Sequence, residues 1–250
     1  MSASQSSPAI VLRARPYGES DKIVSFLTRD LGKLTGIAKG AKRSRRRFVN
    51  SLDPLARVHV HFRLRPGATL AFLESCELLR PATCFSEPTR FAYASYLTEL
   101  VDQMTVEEHP VRELYGLLDE GLLELEQAPP TSALLRGFEL QLLTRTGYEP
   151  QLDRCGSCQR PLDAEGMVFL DTAHGTLCCQ SCGRPGGPLL AVTARVLPPL
   201  VLLKRSPLAD CRPQSLGAVA TDAARLTGGL LAVHLPRPLR SVKLIEQLAP

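Results

Sequence analysis

Tryptophan is absent from this 250-residue sequence, and all aromatics together make up only 5% of it. No apolar run reaches the roughly 20 residues that a membrane-spanning helix needs. The nearest, Leu189–Leu203, is too short and contains Arg195 and Pro198-Pro199. The segment Met1–Ser7 is polar and uncharged, which fits neither a secretory signal nor a transit peptide. A cytoplasmic protein with no membrane partner is therefore expected. Catalytic signatures are also missing. There is no P-loop, no G-x-G-x-x-G, no H-E-x-x-H, no G-x-S-x-G and no deaminase H-x-E…P-C-x-x-C. The histidines His59, His61, His109, His174 and His234 lie scattered, without a recognisable acid or nucleophile beside them. The expectation is a protein that is not an enzyme.

What is present is ordinary in bulk and uneven in detail. Hydrophobic residues make up 44% of the chain and charged residues 22%, enough for one large domain or two small ones with their own cores. The net charge of +5 hides an asymmetry. Residues 1–84 are strongly basic, residues 85–150 strongly acidic, and residues 151–250 mildly basic. Blocks of opposite charge suggest separate domains with separate partners, and the basic block favours a polyanion.

Hydrophobic periodicity divides the chain. Ile10–Arg15, Ile23–Leu27, Leu34–Ala38 and Thr69–Leu79 read as strands. Val58, Val60, Phe62 and Leu64 alternate with polar residues, the period of a half-buried strand. Five short strands in so small a span suit a small barrel. From about residue 85 the period becomes helical: Phe91–Met104, Leu114–Leu125, and a third helix capped by Thr131 or Ser132 and ended near Gly147. Residues 151–187 form a Cys/Gly/Pro-rich insertion. After it, Val192–Lys204, Pro213–His234 and Ser241–Leu248 read as helices, the first kinked or split by Pro198-Pro199. The fold class expected is α+β and multidomain, with a barrel over 1–82 and a helical domain over 83–250, interrupted by a module at 151–187.

Cys155-x2-Cys158 and Cys179-x2-Cys182 are spaced as in a four-cysteine zinc ribbon. Each C-x-x-C turn sets two thiolates about one tetrahedral edge apart. Gly156 and Gly183 would let amides approach the sulfurs, and Met167–Leu170 with a turn at Gly175 would supply the returning hairpin. Four thiolates close the shell around one zinc, leaving no position for water, so the ion would be structural. Cys178 abuts Cys179, and the C-x-x-C rhythm favours Cys179. His174 could replace a thiolate, but a polar loop histidine is the simpler reading.

The densest charge run is Lys39-Gly40-Ala41-Lys42-Arg43-Ser44-Arg45-Arg46-Arg47-Phe48, in the connection between the third and fourth strands. No acid lies between Asp30 and Asp53 to neutralise it. Such a loop attracts phosphates through counterion release, although it could also be a merely solubilising surface. Arg13, Arg15, Lys22, Lys33, Arg57, Arg63 and Arg65 could extend the patch over one barrel face. Tyr17, Phe26, Phe48 and Phe62 are the aromatics available for base stacking. Phe26 and Phe62 sit at apolar positions that also suit a core.

Together, Pro16-Tyr17-Gly18-Glu19-Ser20-Asp21, Leu27-Thr28-Arg29-Asp30-Leu31-Gly32-Lys33 and Ala38-Lys39-Gly40-Ala41-Lys42-Arg43 precede an acidic helical region and an inserted four-cysteine module. This order resembles the bacterial recombination-mediator family RecO along essentially the whole chain. The resemblance implies an N-terminal OB barrel, a helical domain and a zinc finger. It also implies a role in RecF-pathway DNA repair: binding single- and double-stranded DNA, annealing complementary strands and, with RecR, helping RecA replace the single-strand-binding protein. Implied partners are DNA, RecR, the acidic tail of the single-strand-binding protein and, indirectly, RecA, in a bacterial cytoplasm close to the nucleoid. It carries over the four cysteines and the cationic segment Lys39–Arg47. Two other readings remain: an RNA-binding protein with an OB barrel and zinc ribbon, which would prefer the 2′-hydroxyl, and a zinc enzyme, which would need an open coordination position.

Overall fold

The computed structural model describes residues 3–64, 67–82, 86–106, 112–183 and 188–248, in two compact units. One comprises residues 1–126 and 239–250, the other residues 127–238.

The first unit opens with five strands: β1 (Ser4–Tyr17), β2 (Asp21–Thr28), β3 (Gly32–Ala38), β4 (Arg57–Arg63) and β5 (Ala71–Arg80). All five strands read from the sequence are present. They close into a barrel in the order β1-β2-β3-β5-β4, with β4 pairing back onto β1. Every pairing is antiparallel except β3–β5. At that junction Gly36 sits opposite Ala71. A Cβ at Gly36 would lie 2.5 Å from Leu73 Cδ2, so the seam closes only with a residue that has no side chain.

Alternation fills the barrel as the pleat demands. Val58, Val60 and Phe62 of β4 point inward, joined by Ala9, Val11, Val24, Phe26, Leu34 and Leu73. A register shift between Val11 and Arg13 turns β1, so that Ala9–Leu12 are all buried while Arg13, Arg15 and Tyr17 beyond it are exposed.

Three helices complete this unit: α1 (Pro88–Met104), α2 (Arg112–Gln127) and, at the far end of the chain, α7 (Arg240–Leu248). The α1–α7 contact has a polar lock. Glu99 of α1 accepts hydrogen bonds from the backbone N–H of Arg240 (3.0 Å) and Ser241 (2.8 Å) and from the Ser241 hydroxyl (2.7 Å). It thereby satisfies first-turn amides of α7 that have no partner within their own helix.

The second unit is built on α3 (Ser132–Arg145), capped by Thr131, whose hydroxyl accepts from Leu134 N at 3.2 Å. Packed around it are α4 (Leu197–Arg205), α5 (Leu208–Cys211) and α6 (Ala220–Ala232). A three-stranded sheet, in the order β7-β6-β8, is made by β6 (Met167–Asp171), β7 (Thr176–Cys178) and β8 (Leu189–Thr193). Three sequence readings change here. Val192 lies in β8, because Leu189–Thr193 pairs along β6, and the helix starts only at Leu197. Pro198-Pro199 neither kinks nor splits that helix. The pair lies in its first turn, where amides have no intrahelical acceptor, so prolines lose nothing. Pro213–Leu216 is outside the helix that was read from Pro213, which begins at Ala220 after a 3-10 turn.

Candidate metal centre and nucleic-acid interface

In the second unit, the Sγ atoms of Cys155, Cys158, Cys179 and Cys182 all lie within 4.8 Å of one another. The described cysteines form no disulfide. Two turns place these thiols. Gln159 N donates to the Cys155 carbonyl (2.9 Å), and Cys182 N and Gly183 N donate to the Cys179 carbonyl (3.0 and 2.9 Å). The hairpin expected between the turns is the β6–β7 pair, with Gly175 at its turn. The glycines act differently from the expectation. Gly156 N and Gly183 N bond carbonyls, not sulfurs, and the amides that reach Cys155 Sγ are those of Ser157, Cys158 and Cys179, the last at 3.4 Å. Gly183 is required for packing: a Cβ there would sit 2.7 Å from the Phe169 ring.

Cys178 is paired with Phe169 on β7, buried, and lies outside the cluster. His174 is also outside it; its Nδ1 bonds Asp171 at 2.8 Å. The donor set fits a soft dication. A tetrahedron with Zn–S bonds of about 2.3 Å has edges of about 3.8 Å, and Cys158 Sγ and Cys179 Sγ are 3.8 Å apart. The protonation pattern agrees. Burial opposes ionisation of Cys155, but amides of Cys158, Cys179 and Ser157 overcome it and bring the thiol down to about 6. Cys182, crowded by the sulfurs of Cys158 and Cys179, is pushed up to about 12. Without a cation the fourth thiolate is repelled by its neighbours, and a bound dication removes that repulsion.

In the first unit, the connection from β3 to β4 carries the cationic run. Lys39, Lys42, Arg43, Arg45, Arg46 and Arg47 are all exposed. The loop is nonetheless built, not loose. Ala41 and Phe48 are buried in the barrel core and pin its two ends. Ser44 Oγ accepts from the amides of Arg47 and Phe48 (both 3.2 Å), and Cys76 N donates to the Arg47 carbonyl at 2.7 Å. Arg47 donates to the Lys39 carbonyl (2.8 Å) and lies over the Phe48 ring. The β1–β2 turn is fastened to the loop. Lys42 N and Nζ donate to the carbonyls of Ser20 and Gly18 (both 2.9 Å), and Gly40 N donates to Asp21 Oδ1 (2.8 Å). The Gly40 amide and the Ser20 hydroxyl hold the Asp21 carboxyl below its ordinary value. Asp21 is thus a structural part of the cationic loop. Its only sequence signal was its place in the Glu19-Ser20-Asp21 segment.

The wider patch needs correction. Arg57 points outward from β4, as its alternation required, but it is buried and paired with Asp119 and Glu126 of α2. Lys33 is likewise nearly buried, 2.6 Å from Asp102 of α1. Arg80 forms an ion pair with Glu126 at 2.8 Å. Carboxylates of the acidic block therefore neutralise basic residues of the barrel inside one unit. Arg63 is half exposed but held by Glu74 at 2.6 Å. Arg65 lies outside the described residues. Phe26, Phe62 and Phe48 are all core, Phe48 against the reading that offered it for stacking, whereas Tyr17 is exposed. His59 and His61 stand side by side on β4, ring centroids 5.1 Å apart. Among the described residues of the patch, those most open to a polyanion are the loop Lys39–Arg47, Arg15 and the half-exposed Arg13. Among the described residues, Arg15, Arg43, Arg45 and Arg46 have no carboxylate partner.

Fold and sites together define a two-unit protein: a cationic barrel braced by acidic helices, and a helical unit carrying a metal-competent four-thiol cluster. The chain belongs to the Recombination protein O family. The family's N-terminal model matches residues 1–82 and its C-terminal model residues 86–243. Curated relatives agree along nearly the full length. The DNA repair protein RecO of Syntrophus aciditrophicus (strain SB) is 36% identical over 98% of this chain and 96% of its own. That of Anaeromyxobacter sp. (strain Fw109-5) is 36% identical over 96% and 95%, and that of Geobacter metallireducens is 36% identical over 97% of each. No helix among the described residues is long and apolar enough to cross a membrane.

Proposed function

We propose that this chain is a DNA-binding recombination mediator of bacterial DNA repair, acting in the cytoplasm and without bond chemistry of its own. The observation that carries the reading is the loop Lys39–Arg47: six exposed cations on a fastened scaffold, in a chain of this family. Two complementary strands repel through their phosphates. A cationic surface that holds both, and leaves base edges free, weakens that repulsion and raises local concentration. The five-stranded Greek-key barrel, closed through a parallel β3–β5 seam, supports an OB assignment. In OB barrels the outer β2–β3 face and neighbouring loops carry oligonucleotides.

One zinc ion would be held by Cys155, Cys158, Cys179 and Cys182. When bound, it supplies cross-linking and charge neutralisation, and its shell of four thiolates leaves no position for an activated water. Family membership extends the proposal to RecR, the tail of the single-strand-binding protein and, indirectly, RecA as partners, and it favours DNA over the RNA-binding alternative. The test is annealing of two complementary fluorescent oligonucleotides, bare and coated with single-strand-binding protein, without nucleotide and across a salt series. Fast, salt-sensitive annealing supports the proposal. Folded, zinc-loaded protein that anneals neither substrate would refute it.

A further inference from the structure

We propose that Tyr17 is a base-stacking residue, which makes the cationic face a site for unpaired nucleotides and not for phosphates alone. This rests on the proposed DNA binding and deepens it by assigning one residue to contact unpaired bases.

Four observations meet at Tyr17. It is the last residue of β1 and is 53% exposed, whereas Phe26, Phe48 and Phe62 are core and Phe72 of β5 is partly buried. Its hydroxyl has no hydrogen-bond partner among the described residues. It shares the outer face of β1 with Arg13 and Arg15, four and two residues back, since side chains alternate along a strand. It also opens the β1–β2 turn, which Lys42 and Gly40 fasten to the cationic loop through three hydrogen bonds of 2.8–2.9 Å. The ring therefore stands beside the fastened cationic loop. Glu19 is the only acid of the turn facing solvent freely, because Asp21 is engaged by Gly40 and Ser20.

An exposed ring gains most from a flat apolar partner, and an unpaired base supplies one. Bases in a duplex are already stacked on each other, so the ring gains nothing there without fraying. Cations alone bind both forms. Tyr17 then confers preference for single strands, and by holding a base through its face it leaves the pairing edge open to a second strand.

The absence of tryptophan makes this measurable. Tyr17→Trp creates the only tryptophan in the chain. Titrated with an oligothymidylate of about 15 nucleotides, its emission should be quenched with the same midpoint as an independent anisotropy titration. A duplex of equal length should bind without quenching. Tyr17→Ala should weaken single-strand binding about 5- to 150-fold, the range for loss of one stacked base, with duplex affinity and the salt slope unchanged. Tyr17→Phe should bind as the parent does. Leu79→Trp, at another exposed strand position, should report no quenching. Saturating binding by anisotropy without quenching of Tyr17→Trp would overturn the stacking assignment while leaving DNA binding intact. So would equal quenching of Leu79→Trp, or parent-like single-strand affinity in Tyr17→Ala. Absence of binding by anisotropy at every salt concentration would instead overturn both this proposal and the one it rests on.

Discussion

Replacing Arg43, Arg45 and Arg46 by alanine removes three exposed cations that have no carboxylate partner among the described residues. The loop ends stay pinned by Ala41 and Phe48, so the fold should survive. For single strands, each phosphate contact contributes about 0.7 to the slope of log affinity against log salt. If all three cations reach phosphates, the slope flattens by about 2. A fourfold rise in salt then costs the variant about 20-fold less affinity than it costs the parent. The assay is anisotropy of a labelled single-stranded oligonucleotide at several salt concentrations. A matched variant, with Arg154, Arg160 and Arg195 replaced by alanine, removes the same net charge from the second unit and should retain the parental slope. A change below about 0.5 in the loop variant, or an equal change in the matched variant, would refute a localised interface and leave only the overall charge of the chain.

Arg57→Ala should leave the salt slope unchanged and lower stability by about 1–3 kcal/mol, because the buried Glu126 side chain then keeps only Arg80 and Asp119 loses its partner; denaturant unfolding checks it. Gly183→Ala should cost about 1–3 kcal/mol by forcing a methyl against Phe169, measured by thermal melting of the zinc-loaded protein. Cys178→Ser should keep one zinc per chain, whereas Cys179→Ser should fall well below one, read by mercurial release into a zinc indicator. Burial acts to raise the Glu99 carboxyl, but the Ser241 hydroxyl and the Arg240 and Ser241 amides hold it below its ordinary value. Its contribution is therefore present above the unfolded carboxyl value of about 4.3 and is lost as pH falls through the lower folded value. Glu99→Gln should flatten that part of the stability-against-pH curve.

Local signals carried far in this sequence. Alternation in Val58, Val60 and Phe62 fixed which side of β4 is core, and the C-x-x-C rhythm separated Cys179 from Cys178 without any coordinates. What stayed hidden depended on partners distant in sequence. Alternation says that Arg57 points away from the barrel core, but not that Asp119 and Glu126, more than sixty residues on, cover it. Leu189–Thr193 is strand because β6 offers an edge, and its apolar run alone is equally helical. Reading the helix from Val192 instead of Leu197 places the proline pair inside it, and turns a helix start into a helix break.

The carboxylates of α1 and α2 have a consequence beyond stability. Asp102, Asp119 and Glu126 occupy the positions on Lys33, Arg57 and Arg80 that phosphates would otherwise take. Under the proposed DNA binding, they would act as a built-in nucleic-acid mimic that covers these cations. Without them, a small cationic barrel would wrap a strand from any direction and trap it. With them, under the proposed DNA binding, a strand held at the Lys39–Arg47 loop keeps its other side free to meet its complement.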